Sequence, residues 1–177
     1  MFKYQISKNA LFMGPKMLRF LCVEVALILI ICLLHLYPII NIGVDQHTQR
    51  CLENVKVAAL IHIKPDSQNI GRGDLIFWKP FGPLEYVKDE YIVKRVVGVA
   101  GDLLRISGER VTINNRLVAT GLPSASQADL RAHVFDKFEV IPSDQFFVLG
   151  DNPLSYDSRY WGYVAYSNIM GTAIALF

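Results

Sequence analysis

The densest set of reactive groups lies between Gly150 and Gly162, where GDNPLSYDSRYWG packs two serine hydroxyls, two acids, one arginine and large aromatics into a turn-rich stretch. Polar groups at that density hydrogen-bond to one another. Taken alone, the stretch reads as a capped surface loop with an ordinary Asp157–Arg159 ion pair. A second candidate is Lys94 in YIVKRVVG. Strand alternation places Lys94 and Val96 on one face and Val93 and Arg95 on the other. A Lys-Arg pair in a strand is ordinarily solvated, and a lysine serves as a base near neutral pH only where apolar surroundings disfavour its charged form. The third candidate is Cys51. Cys22 and Cys32 lie inside an apolar run, about 15 Å apart if helical and too far to bridge, so Cys51 stands alone as a buried small hydrophobe or a reactive thiol. His35, His47, His62 and His133 are scattered without ligand spacing, and neither a metal nor a cofactor is expected.

These groups need a scaffold, and the pattern beyond Ile42 supplies one: short apolar runs broken by Gly, Pro, Asn and Asp, which is the pattern of an antiparallel β domain. Strands are expected at Val55–Ile63, Asp74–Trp78, Tyr91–Val99, Leu103–Ile106, Arg110–Ile113, Arg116–Ala119 and Gln145–Leu149. Asn114-Asn115 fits a tight hairpin turn, since Asn tolerates the left-handed conformation. Gly121–Arg131 reads as a surface loop, with Leu122–Ala132 the place for a short helix. There is no internal repeat. Gly73-Asp74, Gly101-Asp102 and Gly150-Asp151 read as turns, and the Arg72-Gly73-Asp74 tripeptide opens a strand rather than forming an adhesion motif.

The chain has 177 residues, 18 basic and 16 acidic, for a formal charge of +2. That balance argues against a nucleic-acid partner. With 52% hydrophobic and 19% charged residues, the chain is neither a disordered acidic segment nor a small disulfide-stapled scaffold. The mean hydropathy of +0.29 has a local source. Leu18–Ile42 reads LRFLCVEVALILIICLLHLYPIINI, with only Arg19 and Glu24 charged. A spanning helix needs about 20 apolar residues, and Leu18–Tyr37 supplies them before Pro38. Glu24 lies close enough to the basic end to pair with Arg19 or snorkel beside it. The run exceeds the roughly 7–15 residues of a cleavable signal's apolar region and no small-residue cleavage site follows, while a buried core helix would need a domain surrounding it on every side. Lys3, Lys8, Lys16 and Arg19 precede the run without an acid, whereas Asp45, Arg50, Glu53 and Lys56 follow it mixed. The positive-inside rule then makes 1–17 a cytoplasmic tail, 18–42 a membrane anchor and 43–177 an extracytoplasmic domain.

In this order, GRGDLIFW, YIVKRVVGVAGD and GDNPLSYDSRYWG resemble three boxes of the type I signal peptidases, the membrane-anchored endopeptidases of the bacterial envelope. The resemblance runs from about Cys51 to the C-terminus. Arg50-Cys51-Leu52, NNRLVATGL and SYDSRYWG are most similar to the branch associated with conjugation and type IV secretion. The resemblance implies coiled antiparallel β-sheets, a single N-terminal anchor in the inner membrane, and a Ser/Lys dyad. Lys94 matches the general base. The nucleophile position holds Cys51 instead of Ser, followed by Leu52-Glu53. Ser67 is too close to GRGD to compete, and Thr48 is three residues early and more hindered. A thiol suits the step, because it ionises far more readily than a hydroxyl and its thiolate is the better nucleophile.

The remaining roles carry over by position. Ser155 matches the serine that orients the lysine nitrogen, and Asp157 and Arg159 match the supporting ion pair. Gly150, Asp151 and Asn152 match the turn that opens the motif, with Pro153 where an Arg is common. The oxyanion would be met by the N–H of Cys51, with Gln49 at the position of the second donor. Tyr156, Tyr160 and Trp161 are read as packing. The implied substrates are signal-peptide-bearing precursors with small residues at the first and third positions before the cut; pilin or other secretion-system cargo is the dedicated substrate, and the bilayer and the secretion machinery are the implied partners. The competing reading is a catalytically inactive, membrane-tethered β domain that binds a secretion partner. It is favoured by Cys51, Glu53 and Gln49 and opposed by Lys94 with Ser155, Asp157 and Arg159. An autocleaving repressor would need a DNA-binding segment, and none is apparent.

Overall fold

The computed structural model describes residues 15–36, 39–45, 50–82, 84, 90–123 and 132–177. The chain divides into two compact units, Met1–Pro38 and Ile39–Phe177. In the first, helix α1 covers Pro15–Leu36. Within it Lys16–His35 is long and apolar enough to cross a bilayer, and 22 residues at about 1.5 Å each match a hydrocarbon core of about 30 Å. The apolar run expected to reach Ile42 is divided: the helix stops at Leu36, and Ile40–Ile42 belong to a strand. Pro38 cannot continue a helix, and the β-branched Ile40, Ile42 and Val44 favour extended backbone.

The second unit is mainly antiparallel β, as expected. Its strands are β1 (Ile40–Val44), β2 (Val57–Ile61), β3 (Leu75–Trp78), β4 (Ile92–Gly98), β5 (Leu103–Ser107), β6 (Arg110–Ile113), β7 (Arg116–Thr120), β8 (Lys137–Val140), β9 (Gln145–Leu149), β10 (Val164–Ala165) and β11 (Ile169–Ala175), with a single-turn helix α2 (Ser158–Trp161). One sheet has the order β1-β2-β11-β3-β4-β9-β10 and the other β7-β6-β5-β8. Every pairing is antiparallel. The β6–β7 hairpin turns at Asn114 and Asn115, with φ of 50° and 66°, the left-handed pair that such a turn demands. The short helix expected over Leu122–Ala132 falls mostly outside the described residues.

Strand β9 serves two cores. Phe146 and Val148 join Ile76, Trp78 and Val96 in one, while Phe147 and Leu149 join Leu104, Ile106, Val111 and Ile113 of the second sheet in another. A third cluster, on the other side of β3, gathers Leu52, Val55, Leu60, Leu75 and Phe77. Gly98 lets the second sheet close on the first, because a Cβ there would stand 2.6 Å from Ile141 Cδ1 and 3.1 Å from Ile113 Cδ1. The site described next lies where β9 ends.

Candidate active site

Lys94 sits in the middle of β4, opposite Ile76 of β3. Its face is the one carrying Ile76 and Val96, both fully buried, and Lys94 itself is 3% exposed. The solvated strand pair that composition alone would favour is therefore not what forms. A buried ammonium or amine needs a partner, and Lys94 Nζ donates to Ser155 Oγ at 2.7 Å. Ser155 is equally buried, and its own N–H donates to Asn152 O at 2.9 Å.

The segment after β9 is shaped by a buried ion pair. Arg159 Nε and Nη2 donate to the two oxygens of Asp157 at 2.8 and 3.0 Å, with side chains only 2% and 0% exposed. The capped surface loop read from composition is thus corrected: the pair lies inside. Arg159 Nη2 also donates to the carbonyls of Ser155 at 2.8 Å and Pro153 at 3.0 Å, and Nη1 donates to that of Gly121 at 3.1 Å. Asp157 in turn accepts from the Gly150 N–H at 3.0 Å and caps α2 through the Arg159 N–H. Together the two charges draw the loop around Ser155, which fixes the hydroxyl that holds Lys94. Tyr156 stacks on Tyr160, Phe135 meets Tyr160 edge-on, and Trp161 packs near Trp78 and Phe81. All three aromatics of the segment are half-buried packing residues.

Cys51 opens a turn that leads into β2 and is half-buried with a free thiol. Leu52 anchors that turn in the core at 5% exposure. Its backbone meets the other segment directly: the Asn152 N–H donates to Cys51 O at 3.0 Å, and Asn152 Nδ2 donates to Arg50 O at 2.9 Å. Gly150 lies at the junction. A Cβ on Gly150 would stand 2.3 Å from Ser155 Oγ and 2.7 Å from Cys51 O, so the serine that holds Lys94 and the backbone of Cys51 crowd the same glycine. Among the described residues no hydrogen bond joins Cys51 Sγ to Lys94, whose donor is directed to Ser155. Thr48 and Gln49, the hydroxyl considered beside Cys51 and the expected second oxyanion donor, lie outside the described residues.

A family model described as signal peptidase, peptidase S26, matches residues 16–177. The chain belongs to that family. Similar curated proteins are a signal peptidase I of Leptolyngbya laminosa, 37% identical over 110 residues, which are 60% of this chain and 52% of that protein. A probable signal peptidase I-2 of Synechocystis is 32% identical over 108 residues, 60% of this chain and 47% of that protein. The chain spans about half the length of these curated relatives. Among solved structures, a signal peptidase I of Enterococcus faecalis is similar at 23% identity and a TM-score of 0.37, over 58% of this chain and 94% of that one.

In this signal peptidase family member, two further ion pairs brace the strands beside Lys94. Arg95, on the opposite face of β4, forms a two-pronged pair with Asp151 at 2.8 and 2.9 Å and donates to Gly73 O at 3.1 Å. The hydrogen bonds that Arg95 donates to the Asp151 carboxylate hold its guanidinium above its ordinary range despite partial burial. Arg72 pairs with Asp102 through both carboxylate oxygens, one contact measuring 2.9 Å. Burial alone would push the Asp102 carboxyl up, but hydrogen bonds from Arg72, the Val99 N–H and Asn114 outweigh it and hold the group below its ordinary range. Neither pair was legible as a pair in the sequence. The Gly-Asp turns drew attention to Asp102 and Asp151, but the arginine partners lie 30 and 56 residues earlier in the chain.

Proposed function

We propose that the chain is a membrane-anchored signal peptidase that removes N-terminal leaders from exported proteins by acyl transfer through Cys51, with Lys94 as general base. The observation that carries this reading is the buried Lys94 held by Ser155 at 2.7 Å. Burying a lysine on an apolar sheet face is costly, and a binding domain has no need of it, whereas a base beside a nucleophile does. In the first step Lys94 Nζ takes the Cys51 thiol proton and the sulfur attacks the scissile carbonyl. The C–S bond forms, and the carbonyl electron pair moves onto oxygen, where the Cys51 N–H meets it. Collapse breaks the C–N bond, and the leaving amine of the mature protein takes the proton back from Lys94. Water, deprotonated by Lys94, then cleaves the thioester and releases the leader with a free carboxylate, restoring the thiol.

The apolar helix α1, the one span candidate among the described residues, and the basic flank before it support an inner-membrane enzyme, single-pass, with its site on the extracytoplasmic face. There a precursor's own apolar segment presents the bond. Small residues at the first and third positions before the cut are the expected specificity. The similarity of the Arg50-Cys51-Leu52 and SYDSRYWG segments to the conjugation branch supports pilin or another type IV secretion component as cargo. The test is cleavage of a prepilin or secretory precursor in membranes carrying the intact chain, compared with Cys51→Ala, Cys51→Ser and Lys94→Ala. Cleavage by the intact chain and its loss in both alanine variants is the expected result. Continued cleavage by Cys51→Ala removes Cys51 as nucleophile, and no cleavage of any precursor by the intact chain leaves the tethered binding domain as the better account.

A further inference from the structure

All four polar groups of Asn152 are committed to the site. Its N–H donates to Cys51 O at 3.0 Å and its carbonyl accepts from the Ser155 N–H at 2.9 Å. Its side chain receives the Leu154 N–H on Oδ1 at 2.9 Å and donates from Nδ2 to Arg50 O at 2.9 Å. The orientation of the amide follows from chemistry: a backbone N–H only donates and a carbonyl only accepts, so oxygen must face Leu154 and nitrogen must face Arg50. The two residues joined by that last bond are 102 positions apart.

We infer that Asn152 is a positioning residue that aims the Cys51 N–H at the oxyanion. The Arg50 carbonyl and the Cys51 N–H belong to one peptide unit, which is planar and, with no cis peptide bond among the described residues, trans. Carbonyl and N–H then point in opposite directions. Gripping Arg50 O therefore fixes the direction of the Cys51 N–H, and the second bond, to Cys51 O, fixes the next peptide plane. The charge that develops on the substrate oxygen as the C–S bond forms is met by a donor already aimed, without reorganisation at that moment. No other common side chain of this size presents a donor and an acceptor in this arrangement. Aspartate would keep the bond from Leu154 but set a carboxylate oxygen against the Arg50 carbonyl.

The inference rests on Cys51 being the nucleophile, and the test separates the two. Asn152→Asp, Asn152→Ala and Cys51→Ala are made in the full chain and compared on a leader-bearing precursor that the intact protein cleaves. In parallel, alkylation of the Cys51 thiol by iodoacetamide is followed by peptide mass; that reaction forms a C–S bond and expels iodide without generating an oxyanion. Asn152→Asp is expected to lower kcat by about 10²-fold, the size of a lost or misaimed oxyanion donor. KM and the alkylation rate should stay at their original values. Asn152→Ala is expected to lose less, since it frees the Arg50 carbonyl without repelling it, and it stands in if the aspartate variant does not fold. Unchanged kcat in both variants, with Cys51→Ala inactive, overturns the inference alone, as does a parallel fall in kcat and alkylation, which would mark Asn152 as a general support of the turn. Cleavage by Cys51→Ala overturns the nucleophile assignment and the inference with it.

Discussion

Replacing Gly150 by alanine tests whether the two halves of the site are as close as described. Gly150 has no left-handed backbone to defend, so the effect of the substitution is purely one of space. The new Cβ would stand 2.3 Å from Ser155 Oγ, 2.5 Å from Ser155 Cβ and 2.7 Å from Cys51 O. Non-bonded carbon contacts settle near 3.5–4.0 Å, so Ser155, the Cys51 turn or both must retreat by about 1 Å. Ser155 is 3% exposed and has no free space to enter. The Lys94–Ser155 bond, 2.7 Å long, would then lie outside hydrogen-bonding range. A displacement of about 1 Å in catalytic geometry costs about 10²-fold in rate, and overpacking a buried site costs about 1–3 kcal/mol of stability. Precursor cleavage and thermal unfolding should be measured together, with Gly71→Ala as control, since a Cβ there meets nothing nearer than Asp74 Oδ2 at 3.8 Å. The expected result is a kcat about 10²-fold lower with a melting temperature down by several degrees. A Gly150→Ala variant that cleaves and melts like the control would refute the crowding and the site built upon it.

Arg159→Ala leaves Asp157 charged and buried without its partner, and should destabilise the domain by about 3–5 kcal/mol in denaturant unfolding. The double variant Arg159→Met with Asp157→Leu should lose less. Ser155→Ala removes the hydrogen bond that holds Lys94 Nζ; if Lys94 is the base proposed above, precursor cleavage should show kcat lowered about 10–100-fold with KM little changed, because what is lost is the positioning of the proton acceptor rather than a substrate contact. Asp102 supplies a pH test. Its carboxyl titrates below its ordinary range in the folded chain, so its contribution is complete above about pH 4 and is lost as pH falls through the lower folded value. The melting temperature of the original chain should exceed that of Asp102→Asn at pH 7, and the gap should close in acid; a gap independent of pH would contradict the assigned pairing.

Much of the site was legible because its parts are local. Ser155, Asp157 and Arg159 stand within one short segment, and their density signalled a network before any packing was known. Lys94 was legible by resemblance, and strand alternation correctly grouped it with Val96, but alternation alone left it solvated; only the opposite Ile76 and the arriving Ser155 loop bury it. What escaped reading depends on residues distant in sequence. Asn152 reads as a turn former until Arg50 is brought against it, and Gly150 reads as a turn glycine until Cys51 O arrives beside it. The same holds for strands. β1 was hidden largely inside the apolar run of the anchor, β8 is a four-residue KFEV alternation too short to stand out, with its apolar residues exposed, and β11, IMGTAIA, is interrupted by small residues and acquires strand character by lying between β2 and β3. At Gly171 a Cβ would meet Ile61 O at 1.9 Å, a closeness that no single-strand pattern encodes.

Strand β9 gives one face to each of two cores and ends at Leu149, just before Gly150. A strand committed on both sides opens only when both cores open, so its amides should be among the last in the domain to exchange with solvent. The turn carrying Asn152 and Ser155 continues directly from that strand, and it is further bonded to Arg50, Cys51 and Arg159. The candidate site is therefore moored to the part of the domain expected to open last rather than to a mobile lid. Heat should not silence such a site by loosening it ahead of the fold: loss of activity and loss of structure should arrive together, as one cooperative event.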